Sequence, residues 1–355
     1  MRCCVKPLFV LLAGSWCVSI GTAAPLQVQV ATPDLDRWVY PFDSAPGFRE
    51  SASVFGSIGQ ENACPPLSFD QRDGQMLLGW DLRSEIPTGR GLCGYRILGV
   101  TVTLTTATQN AFRYDPTYDG RTSYPGPDTD QGRPIELYGA AFRNGWTVCP
   151  LDSAPANNAF PCYFEGTPSQ AAPPFGPAIQ SGVRHAFATD YAGGVERDVS
   201  NNVRDGFDPS PFAVGQIAGL AAGALVPADR DVTFVLDVVE ADVQGYLRRA
   251  LNGGQLRLMV TSLQPASGGT GGCAPGSGSY ASFYCKEIGL EGLAARLSIT
   301  VQLTAQGDTN ADGAVDFQDI TAVLQNWSGG GPSGDANCDG VVTFADIAEV
   351  LRGWN

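Results

Sequence analysis

A stretch reading DTNADGAVDFQDITAVLQNW from Asp308 returns as DANCDGVVTFADIAEVLRGW from Asp335, at an offset of 27 residues. Asp308, Asn310, Asp312, Gly313 and Asp319 become Asp335, Asn337, Asp339, Gly340 and Asp346. Ile320, Val323, Leu324 and Trp327 become Ile347, Val350, Leu351 and Trp354. A chain that repeats at a fixed period builds the same supersecondary unit twice, so this end of the molecule is constrained before anything else is read.

Each copy opens with the oxygen spacing of a twelve-residue calcium loop: side chains at positions 1, 3 and 5, glycine at 6, a backbone carbonyl at 7 and a carboxylate at 12. The expected ligands are Asp308, Asn310, Asp312, Ala314 (through its carbonyl), Asp316 and Asp319 in the first loop. In the second they are Asp335, Asn337, Asp339, Val341 (likewise), Thr343 and Asp346. Ca²⁺ takes about six to eight oxygens, so alternate residues must turn inward together. The helix after each loop carries Ile, Val, Leu and Trp at i, i+3, i+4 and i+7, which predicts one apolar stripe per helix and packing of the two stripes against each other. Two bound Ca²⁺ are expected.

Loop plus one helix, in tandem and with Asp at position 12, resembles the dockerin family. The short inter-repeat SGGGPSG and Cys338 inside the second loop look more like the GC-type dockerins that end many secreted bacterial proteins. Positions 10 and 11, which carry much of the family's recognition, are Phe317/Gln318 and Phe344/Ala345 here. The resemblance implies calcium-dependent attachment of residues 306–355 to a cohesin-like or cell-surface sorting partner, often in polysaccharide-degrading systems.

Residues 1–23 read as a secretory signal: Arg2 and Lys6, a short apolar run from Pro7 to Ile20, then Gly21-Thr22-Ala23 for cleavage. That run is too short to span a bilayer, and no later stretch is apolar enough to do so. The expectation is a secreted, extracellular protein with no membrane span. Export makes cysteines a disulfide framework. Cys64, Cys93, Cys149, Cys162, Cys273 and Cys285 lie in the main region, and the most local pairing is 64–93, 149–162 and 273–285. Cys338 is then left over, as a free thiol or a link to a partner. Losing Arg2 and Lys6 leaves 20 basic against 36 acidic residues, a net charge of −16. Such a chain has no electrostatic footprint for nucleic acid.

Residues 24–305 read as mainly β. Short β-branched or aromatic runs bounded by turn residues stand at 37–42, 52–58, 76–82, 99–106, 135–140, 232–239, 256–262 and 297–303. Ala241 to Leu251 breaks the alternation and reads as one short helix closed by Asn252-Gly253-Gly254. Long loops fill 109–230. The expected fold is a disulfide-braced antiparallel β-sandwich, jelly-roll-like, joined by Thr304–Gly307 to a small all-α module. LLGWDL around Asp81, Val232–Tyr246, Asn252–Val260, Phe283–Glu287 and Leu297–Leu303 are similar, in order, to segments of the DNRLRE β-sandwich family, some of whose members bind polysaccharide.

No GxSxG elbow, HExxH helix or P-loop occurs. His185 is the only histidine, and a lone loop histidine reads as structural. Paired carboxylates for glycoside hydrolysis could come from Glu136, Glu165, Asp237, Glu240, Glu287 and Glu291. Trp38, Trp80, Trp146, Tyr124 and Tyr138 are the aromatics on offer for sugar stacking, although the register of Trp38 and Trp80 favours the core. The first expectation is an exported, non-catalytic binding or structural protein, with polysaccharide as a ligand. The alternative is a dockerin-bearing glycoside hydrolase.

Overall fold

The computed structural model describes residues 24–40, 47–56, 72–120, 131–143, 145, 147–148, 162–163, 186–264, 280–329 and 334–354. The expected export signal at residues 1–23 lies outside them. The strands are β1 (Leu26–Val30), β2 (Leu35–Val39), β3 (Ser51–Val54), β4 (Gln75–Asp81), β5 (Tyr95–Thr105), β6 (Ile135–Phe142), β7 (Thr147–Val148), β8 (Cys162–Tyr163), β9 (Ala186–Thr189), β10 (Ala213–Val214), β11 (Asp231–Val235), β12 (Gln255–Ser262), β13 (Ala281–Tyr284) and β14 (Arg296–Leu303). The helices are α1 (Asn202–Asp205), α2 (Ala241–Gly253), α3 (Phe317–Gln325) and α4 (Phe344–Gly353). The protein is mainly β.

Two antiparallel sheets make the body. One runs β1-β14-β5-β11 and the other β10-β6-β12-β4-β2. β9 shares an edge of β6 with β10, the first pairing Gly139–Phe142 and the second Glu136–Leu137. A hairpin-like pair of β13 with β3 stands apart, and β7 with β8 is a short parallel exception. Alternation along β5 sends Val100, Val102 and Leu104 inward, where they meet Leu297, Ile299 and Val301 of β14 and Met76, Leu78 and Trp80 of β4 in one core. Each such side chain contributes about 1.5–3 kcal/mol by burial.

The six-stranded sheet is buried on its other face as well, by Leu35, Val39, Leu77, Tyr138, Ala186, Ala188, Val199 and Met259. A strand covered on both sides need not alternate, which is why QMLLGW in β4 is buried throughout. That second face also holds a buried ion pair, Arg72 to Glu136 at 2.9 Å, with Thr261 Oγ1 donating to the same carboxylate at 3.2 Å. Trp80 is core, as its register implied, and Trp38 packs partly buried against it.

α2 lays Val243, Leu247 and Leu251 on the core. It ends where Gly254 turns left-handed at φ 78° and its N–H caps Ala250 and Leu251. Sequence patterning missed β1, although Leu26, Val28 and Val30 alternate with glutamines, and it missed β7, β8, β9, β10 and β13, which at two to four residues are too short to show a period.

The cysteine pairing expected from sequence is corrected. Cys93, just before β5, is bonded to Cys338, 245 residues away and inside the second repeat, with Cα atoms 5.7 Å apart. Cys93 is therefore unavailable to Cys64, and Cys338 is neither a free thiol nor a link to another chain. Cys64, Cys149 and Cys273 lie outside the described residues, and Cys285 is buried.

Candidate functional site

The two loops repeat bond for bond. Asp308 accepts the N–H groups of Asp312 (3.1 Å) and Gly313 (3.1 Å), and Asp335 accepts those of Asp339 (3.1 Å) and Gly340 (3.0 Å). Asn310 Oδ1 accepts from Asp312 N at 2.8 Å, and Asn337 Oδ1 from Asp339 N at 2.9 Å. Asp319 holds Asn310 N and Asp316 N, while Asp346 holds Asn337 N and Thr343 N. The carboxylates at positions 1 and 12 thus tie the start of each loop to the start of its helix. Ala311 (φ 61°) and Cys338 (φ 58°) both sit left-handed at position 4.

At position 9, Asp316 and Thr343 are helix N-caps, accepting from Gln318 N (2.7 Å) and Ala345 N (3.2 Å). Among the described residues the carbonyls of Ala314 and Val341, at position 7, accept no hydrogen bond.

Asp319 and Asp346 are 0% exposed, and Asp308 and Asp335 nearly as buried. Among the described residues none of the four is in an ion pair with Lys or Arg. Burial pushes the Asp308 and Asp335 carboxyls above their ordinary range, backbone N–H groups oppose this, and neighbouring Asp319 or Asp346 adds to it. Arg248 also opposes the rise at Asp335, but buried carboxylates grouped without an ion pair are costly unless a cation joins them. That environment suits a hard divalent ion held by Asp308, Asn310, Asp312 and Asp319, and by Asp335, Asn337, Asp339 and Asp346. The group of three whose candidate ligand atoms all lie within 4.8 Å of one another is elsewhere, at Asp36, Cys285 and Glu287. Metal would have to draw the loop oxygens together.

The helices pack through a smaller core than expected. Val323, Ala336, Val342 and Val350 form it, with Val315, Ile320 and Ile347 beside them. Gly307 and Gly334, one residue before each loop and again 27 apart, have φ of 90° and 85°. Each lies against the helix of the other copy, Gly307 on Val350 and Gly334 on Val323. This crosswise packing leaves Leu324, Trp327, Leu351 and Trp354 exposed, contrary to the stripe read from sequence. Phe317 and Phe344 are 67% and 70% exposed. Phe317, Thr321 and Leu324 on α3, and Phe344, Ala348 and Leu351 on α4, share i, i+4, i+7 spacing and form matching outward stripes.

The repeat rests on the β body. Besides the disulfide, Gln302 Nε2 donates to Ala311 O (3.1 Å), and Thr304 donates to Cys93 O (2.6 Å) and Gly94 O (3.2 Å). Arg248 of α2 faces Asp335, whose charge opposes the fall in guanidinium pKa that burial causes. Sequence gave no sign of Arg248 or Cys93 at this junction, since neither belongs to the repeat.

The carboxylates considered for glycoside chemistry are dispersed. Glu136 is buried against Arg72, Asp237 and Glu240 flank the start of α2, Glu291 is exposed in a turn, and Glu165 lies outside the described residues. Glu287 lies beside Asp36 and Lys286. Tyr138 is fully buried, so it offers no sugar platform, and Tyr124, Trp146 and His185 lie outside the described residues. No helix among the described residues is long and apolar enough to cross a membrane. Set against known proteins, the chain matches no family model and no curated protein.

Proposed function

We propose that this chain is an exported, non-catalytic binding or structural protein whose residues 306–355 form a dockerin-type calcium module that attaches a β-sandwich to a cohesin-like or cell-surface partner. The observation that carries the reading is the exposed apolar pair Phe317 and Leu324 on α3 and its counterpart Phe344 and Leu351 on α4, presented at matching positions by the two repeats. Exposed apolar surface that the fold repeats but does not use internally marks an interaction face. Calcium would supply positive charge to the buried loop carboxylates, fixing both helices at the angle that shows these residues.

Equilibrium dialysis of the full chain should find two Ca²⁺, falling to one in Asp308→Ala and in Asp335→Ala. Helicity and Trp fluorescence should drop on adding EGTA. Indifference to EGTA and to both substitutions would remove the dockerin reading. For the β-sandwich, a panel of soluble polysaccharides should show binding without reducing-end release. Release abolished by Glu287→Gln would make the chain a glycoside-active enzyme instead.

A further inference from the structure

Between α2 and the second loop lies a cleft of about 350 Å³, within the size range of small-molecule sites. One wall is α2 with the turn at Tyr191–Gly194, and the other is the loop at Asp335 and Cys338–Gly340, with Leu92 near the disulfide. Cys93–Cys338 holds the repeat against the body beside this cleft.

Its polar groups are unevenly satisfied. Arg248 is 7% exposed, and its single hydrogen bond among the described residues is Nε to Tyr95 O at 3.2 Å. Among the described residues the terminal nitrogens of that guanidinium have no hydrogen-bond partner. Gln244 is also buried: its Nε2 donates to Ile97 O (2.9 Å) and Val238 O (2.7 Å), which fixes the amide on the body, and its Oε1 is closed to solvent. The acidic groups of the lining are already engaged. Asp242 accepts Gly193 N at 3.0 Å, Asp335 accepts two loop N–H groups, and Asp339 accepts Val341 N at 2.9 Å and Asn337 Nδ2 at 3.0 Å. Arg249 lies over the Tyr191 ring, 5.2 Å from its centroid. Asp335 faces Arg248 without pairing with it, so among the described residues the cleft supplies no hydrogen-bond acceptor to the terminal nitrogens of Arg248.

We propose that this cleft binds a small carboxylate-bearing molecule, anchored by Arg248 through its carboxylate. A planar guanidinium matches a carboxylate in two parallel hydrogen bonds, a geometry that a neutral sugar does not satisfy. Asp335 and Asp339 would oppose an anion while they carry uncompensated charge. Binding therefore rests on the calcium reading, because metal in the second loop cancels that field and leaves Arg248 and Arg249 dominant.

The test uses the full disulfide-bonded chain with saturating Ca²⁺, and its metal content is measured in the same sample. D-glucuronate is titrated by calorimetry and by saturation-transfer NMR, with D-glucose and sulfate alongside. The expected result is saturable one-to-one binding of glucuronate, with glucose and sulfate each at least about tenfold weaker. Arg248→Met should weaken it at least about tenfold. Ala241→Trp, at the exposed start of α2, should block it with the melting temperature unchanged, so a folding defect in the first variant would not decide the matter. Metal-loaded protein that shows no saturable glucuronate binding, or binds it equally in Ala241→Trp, overturns the site and leaves the calcium reading intact. Protein that takes up no calcium yet binds glucuronate overturns the proposed dependence on metal together with the calcium reading.

Discussion

Asp36 shows how far one residue's chemistry departs from its sequence context. It sits in β2 between Leu35 and Arg37, where alternation says only that it faces opposite to both. In the fold it is 0% exposed, accepts the Lys286 N–H at 2.7 Å and lies 3.4 Å from Lys286 Nζ. Burial outweighs the lysine and, with Glu287 adding to it, pushes the carboxyl up to about 7. The native state then keeps a proton that the unfolded chain releases near its ordinary value, about 3.9. Between those values the folded form binds more protons, so this group's contribution is complete below about 4 and is lost as pH rises to about 7. Asp36→Asn should flatten that part of the stability curve, measured by urea unfolding across the interval. An unchanged slope would mean Asp36 is charged in the native state. Nothing near Asp36 in the chain announces Lys286, 250 residues on, which is why no reading of the strand finds this pair.

At the scale of elements, the loops and their helices were largely legible, because the ligand spacing is local. The first-turn caps at Asp316 and Thr343, each in a capping box with Asp319 or Asp346, fall on residues that the sequence marked only as calcium ligands. The direction of the apolar stripes was not legible. Helical period places Ile320, Val323 and Leu324 within one wide face, and only the crosswise contact of Gly307 and Gly334 decides which side of that face is covered. Gly334→Ala should be costly for the same reason. A Cβ there would stand 3.0 Å from Ala322 O and 3.2 Å from Val323 Cα, at a φ of 85° that alanine resists. A loss of about 1–3 kcal/mol is expected. Leu324→Ala, on the exposed stripe, should change stability by no more than about 0.5 kcal/mol. Guanidinium unfolding of the two variants side by side, followed by Trp fluorescence, makes the comparison. Equal losses would mean that Leu324, not Val323, is the packed residue.

For the molecule as a whole, the decisive bond is Cys93–Cys338. It makes the second loop a fixed part of the β body, and a disulfide of this kind commonly contributes about 2–5 kcal/mol. Cys93→Ser should lower the melting temperature and weaken calcium binding at the second loop more than at the first. Terbium luminescence of the paired variants Asp308→Ala/Cys93→Ser and Asp335→Ala/Cys93→Ser would read the two loops separately. Equal effects, or a native peptide map without the 93–338 cross-link, would show that the tie is absent. By itself the sequence determined the β character of the body, the strands with long β-branched runs, α2, the tandem loops and the residues that line them. All of these rest on periodicity or spacing within about a dozen neighbouring residues. Only the tertiary structure decided which cysteines meet, which apolar side chains of the repeat stay in solvent, and that Arg248 lines a cleft beside the second loop. Those outcomes depend on residues brought together across the chain, where loop closure costs little more for distant partners than for near ones, so spacing in sequence carries almost no information about them.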